Sequence, residues 1–128
     1  MEKQYKFENY LNIIHNNTLR RNITSIRIST HNLPIESLRK NGITRENRTC
    51  HLCGNLEIGS EIHAIMYCQN QIIKKHRDHL NLTLSKIYQD WNKLTPPTKF
   101  VYLINASDEN CLLPFAIFLG KIYQQFKK

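Results

Sequence analysis

Apolar residues recur along this chain at close to the helical interval. Between Phe7 and Ile28 they fall at Leu11, Ile14, Leu19, Ile23 and Ile26, and the polar run Asn16-Asn17-Thr18 predicts a break into two helices. His31 or Asn32 is placed to cap a short helix that begins near Pro34 and stops at Gly42. Proline suits a first turn and glycine the position just past the end. Ile43 to Gly59 reads as a loop or tight hairpin with Gly54 and Gly59 as turn residues. Glu61 to Cys68 predicts a short helix entered from Ser60. Ile72 to Leu84 predicts a longer one with Ile72, Ile73, His76, Leu80 and Leu84 on its inner side. Leu94-Thr95-Pro96-Pro97 is the clearest break, and Phe100 to Ile104 is a short apolar segment, helical or extended. Asp108 then caps a last helix bearing Leu112, Phe115, Ala116, Leu119, Ile122, Tyr123 and Phe126, with Pro114 tolerated in its first turns.

The polar positions change the picture at Cys50-His51-Leu52-Cys53, followed by His63 and Cys68. A two-residue spacing lets both sulfurs of a knuckle reach one metal at about 2.3 Å, and three thiolates with one imidazole make a closed tetrahedral zinc set. A closed set leaves no position for water, so the ion is expected to be structural and the chain no enzyme. His51 could compete as a ligand but ranks below His63. The expected fold is therefore mostly α, a small helical domain with a zinc-pinned knuckle loop and one structural Zn2+. Residues 1–95 form the helical domain around the site at 50–68, and residues 96–128 a helical tail packed on it. His76 and His79 are two further imidazoles, read as a packed or solvated face, and Cys111 reads as core.

Eighteen Lys and Arg against ten Asp and Glu give a net charge of +8. Such a balance favours anionic partners, of which nucleic acid is the usual one. No run of eighteen apolar residues exists to span a membrane, and the amino end lacks the apolar core of a secretory signal. Four cysteines without such a signal point to metal rather than disulfides, and so to a reducing, intracellular setting.

The ordered set Arg27-Ile28-Ser29-x-His31-x-Leu33-x-Ile35-Glu36, then Arg39, Ile43, Arg45-Glu46, Arg48, Cys50, Cys53, Glu61, His63 and Cys68 resembles a known pattern. It is similar to the zinc-binding region that follows the polymerase in reverse transcriptases of non-LTR retrotransposons. The resemblance runs from about Arg27 to Arg77, with Gln69 where proline often follows the last cysteine and Ser60 where an acidic residue is common. It implies a module that grips RNA or target DNA, with Cys50, Cys53, His63 and Cys68 as zinc ligands. No paired-aspartate polymerase motif occurs, so the chain resembles a detached or truncated carboxyl-terminal piece.

The residues themselves agree on that partner. Arg27, Arg39, Lys40, Arg45 and Arg48 precede the knuckle and Lys74, Lys75 and Arg77 follow it, so folding around the metal could gather a phosphate-binding face. His31, Tyr67 and His51 are available to stack on unpaired bases. An alternative is a zinc-stapled protein-interaction module whose last helix docks Phe115, Phe118, Tyr123 and Phe126 on a reverse transcriptase or host protein, unless that helix closes the domain's own core.

Overall fold

The computed structural model describes residues 16–54 and 56–127. Among them the chain is mostly helical: α1 (Asn17–Arg27), α2 (Pro34–Lys40), α3 (Gln71–Ile87), α4 (Pro96–Ile104) and α5 (Glu109–Phe126), with short turns between. The break expected at Asn16 is the start of α1, where the Asn16 side chain accepts the Leu19 N–H. The helix expected before it, with Leu11 and Ile14, lies outside the described residues. α2 begins at Pro34 but is capped by neither His31 nor Asn32; Leu33 holds the cap position without a side-chain bond. It ends as expected at Gly42 (φ 77°), where the Gly42 and Ile43 N–H groups close back on Arg39 and Leu38.

α5 is the axis of the fold and packs against both α3 and α1. Ile23 and Ile26 from α1, Ile73, Leu80 and Leu84 from α3, and Leu112, Phe115, Leu119 and Ile122 from α5 fill the centre, joined there by Cys111. Phe118 and Phe126 are buried as well, so the last helix closes the domain's own core rather than offering these rings for docking. α1 and α5 approach closely at Gly120, where a Cβ would lie 2.9 Å from Asn22 Nδ2. Asn22 also donates to the Ala116 carbonyl.

Asp108 caps α5 by accepting the Asn110 N–H, and Pro114 sits inside that helix. Thr95 caps α4, with Pro96 and Pro97 in its first turn, so the proline pair starts a helix and Phe100–Ile104 is helical, not extended. On α3, Ile73, Leu80 and Leu84 are buried as expected, whereas Ile72 faces solvent and Arg77, not His76, completes the buried row. No helix among the described residues is long and apolar enough to cross a membrane.

Candidate metal centre

Between α2 and α3 the chain makes a small hairpin and then a wide turn. The hairpin is pinned by an isolated antiparallel bridge between Thr49 and Ile58, by the Cys50 N–H on the Glu57 carbonyl (2.7 Å) and by the Gly59 N–H on the Arg48 carbonyl (2.8 Å). Gly54 (φ 69°) turns the tip as expected. Gly59 does something else: its missing Cβ would stand 2.5 Å from Pro34 Cβ, so glycine there lets the hairpin lie against the start of α2.

The second ligand pair comes from a turn that is wider than an α-helix. Ser60 Oγ accepts the His63 N–H, and His63–Tyr67 then forms a π-helical turn closed by the Cys68 N–H on the His63 carbonyl. The short helix expected over Glu61 to Cys68 is therefore π-helical from His63 to Tyr67, and one five-residue bond brings Cys68 back to His63.

Cys50, Cys53, His63 and Cys68 place one ligand atom each within 4.8 Å of all the others. Cys50 Sγ lies 3.7 Å from Cys68 Sγ, and Cys53 Sγ lies 3.5 Å from His63 Nε2. Tetrahedral bonds of ordinary Zn–S and Zn–N length put two sulfurs about 3.8 Å apart and sulfur about 3.6 Å from nitrogen. The four residues therefore fit one metal ion of that size. All four cysteines are free thiols, and Cys111 lies apart in the core. The Cys68 thiol, hydrogen-bonded across the short contact, draws the pKa of Cys50 down against the opposing effect of burial. The same contact, with burial, pushes Cys68 up. A cation between them favours ionisation of both.

Two residues that the ligand pattern did not reveal support the set. Glu57 Oε2 stands 2.9 Å from His63 Nδ1, so the Nδ1–H donates to the carboxylate and Nε2 is left facing the sulfurs. A carboxylate behind a ligating imidazole fixes its tautomer and raises its basicity. Arg77 reaches in from α3: its Nε donates to the Ile65 carbonyl (2.7 Å) and its Nη2 to the carbonyls of Cys68 (2.9 Å) and Ala64 (3.4 Å). These are carbonyls of the wide turn and of Cys68, which caps it.

The other expected site residues separate. Arg39, Lys40, Arg45, Lys74 and Lys75 are exposed, and Arg48 is half-buried with its Nε on the Ile43 carbonyl. Arg39 also pairs with Glu36 (2.9 Å). Arg27 is different: its guanidinium binds the carbonyls of Ile104 and Ala106 and so closes the end of α4. Arg77 is buried, which removes it from any phosphate-binding face. His31 is also buried and is not open to a base. Its Nδ1 accepts the Leu33 N–H, which leaves Nε2–H to donate to Glu61 (2.8 Å), and its ring stacks on Tyr123. The histidine holds the Glu61 carboxyl below its ordinary range. Tyr67 is exposed, and His51 is an exposed side chain set edge-on to Phe126 rather than a ligand. His76 and His79 line a largely apolar groove between α3 and α5.

What the centre serves has to be argued from its own chemistry, because the chain matches no family model, no curated protein and no solved structure.

Proposed function

We propose that this chain is a zinc-stabilised nucleic-acid-binding module for RNA or target DNA, non-catalytic by itself. It resembles the region that follows the polymerase of non-LTR retrotransposon reverse transcriptases. The observation that carries the reading is the four-ligand cluster, whose ligand atoms all lie within 4.8 Å of one another. Three sulfurs and one imidazole suit zinc, and four protein ligands leave no position for a reacting water. Free thiols in such a set fit a reducing, intracellular setting.

The nucleic-acid half of the reading is supported by charge and placement. Arg39, Lys40 and Arg45 are exposed on the segment leading into the hairpin, beside the half-buried Arg48, and Lys74 and Lys75 are exposed on the helix leaving the wide turn. Cations held on short, metal-fixed segments can contact phosphates without ordering a long loop first. Such contacts give affinity and a salt dependence, not base preference.

The test is native mass spectrometry of the purified chain, followed by titration of single-stranded RNA and duplex DNA at several salt concentrations. One zinc per chain is expected, with affinity that falls as salt rises. Arg45→Ala with Arg48→Ala should keep the zinc, weaken binding and flatten the salt slope by up to about 0.9 per lost phosphate contact. A chain without zinc sinks the metal half of the proposal, and salt-independent or absent binding sinks the other.

A further inference from the structure

Arg77 is only 8% exposed, yet none of the ion pairs among the described residues includes it. Its hydrogen bonds all go to neutral carbonyls. A guanidinium taken out of water without an anion costs on the order of several kcal/mol. Its carbonyl bonds and the exposed Asp78 carboxylate next to it offset part of that cost, and a buried negative charge offsets the rest.

The metal centre supplies that charge. Arg77 bonds the carbonyl of Cys68, itself a ligand residue, and that of Ala64, which follows the ligand His63. A divalent ion held by three thiolates and a neutral imidazole carries one net negative charge. Cys50, His63 and Cys68 are buried, so water does little to screen that charge. The carboxylate at the centre, Glu57, is 57% exposed and belongs to the solvent side. We infer that Arg77 is the counter-ion of the metal centre, a positioning residue whose charge balances the tri-thiolate ion while its fork holds the wide turn. The inference rests on the reading of Cys50, Cys53, His63 and Cys68 as ligands to one ion. It has a direct consequence for loading. With the ion bound, Arg77 is paired with a buried net negative charge, which stabilises the filled form and tightens metal binding.

A clamp that only holds carbonyls needs donors and no charge, and this separates the two roles. The full chain is compared with Arg77→Gln, which keeps a donor and loses the charge, and with Arg77→Lys, which keeps the charge and loses the fork. Zinc affinity is read by competition with a chromophoric chelator, and coordination by the visible spectrum of the Co2+ form. Arg77→Gln is expected to weaken zinc about 10–100-fold with the tetrahedral Co2+ spectrum unaltered, and Arg77→Lys to recover most of that loss. Equal losses in the two variants, or a larger one in Arg77→Lys, overturn the inference. Cys53→His provides the cross-check because it makes the centre neutral: in that background the penalty for Arg77→Gln should shrink severalfold, and an undiminished penalty overturns the counter-ion role. Should Arg77→Gln fail to fold even with zinc, Arg77→Lys decides by itself, supporting the inference if it binds zinc within about tenfold of the parent and overturning it otherwise. Parent protein without zinc removes the metal reading itself. Parent and both Arg77 variants holding zinc equally well removes only the counter-ion.

Discussion

The two ends of this molecule are built on different physics. In the helical end, α1, α3 and α5 share a continuous apolar interior from Ile23 through Leu80 and Leu84 to Phe115 and Leu119. Their backbone bonds are internal to each helix. In the metal end, the hairpin and the wide turn have one isolated bridge, a few turn bonds and a small set of buried side chains such as Ala64, Ile65 and Met66. What closes that end is four ligand atoms, a carboxylate and a guanidinium. One part is stable through area removed from water; the other converges on a cluster that could hold one metal ion.

Removing the ion should separate the two ends most clearly. Chelation, or Cys68→Ser, is expected to have the largest effect, because a closed site contributes its binding free energy to folding. Amides of the hairpin and wide turn should lose hydrogen-exchange protection first, while those of α1, α3 and α5 keep theirs. Uniform loss throughout the chain would show that the two ends are one cooperative unit. Phe115→Ala attacks the other end. It should cost about 3–5 kcal/mol in denaturant unfolding while one metal per chain is retained. Release of the ion by this substitution alone would mean that the centre is shaped by the core behind it.

Gly59→Ala tests the joint between the ends. The new methyl meets the Pro34 ring, so about 1–3 kcal/mol of destabilisation is expected from overpacking. An unchanged melting temperature would show that the hairpin does not rely on α2. Asp108→Ala is the mildest change. It removes the cap of α5 and the acceptor of the Tyr88 hydroxyl (2.6 Å), and should lower stability by about 1 kcal/mol without touching metal affinity.

The reach of each interaction decides whether the sequence reveals it. Asp108 was readable because a cap acts within three residues of itself, whereas Asn16 was readable only as part of a polar break. The ligand set was readable because soft ligands at those spacings have few other uses. The path that unites them was not: nothing local distinguishes an α-helical turn from a π-helical one. His31 and Arg27 look like exposed cations or stacking groups until their partners, Glu61 and the end of α4, arrive from distant positions. Arg77 did leave a trace. It stands at the position of the stripe Ile73, Leu80 and Leu84 where an apolar residue is expected, and charge on that stripe marks a buried ion rather than a surface one. Glu57 left none, since a carboxylate in a polar loop has no pattern to violate.

The chain's single tryptophan, Trp91, is almost fully enclosed, with its indole N–H on Asn81 and Tyr88 and Tyr102 packed around the ring. It therefore acts as an optical label on the α3–α4 corner. Its emission should follow the opening of that corner, while the colour of a Co2+-loaded sample follows the ligand cluster. Recording both signals in one titration tells from unaltered protein whether the ends come apart together or in turn.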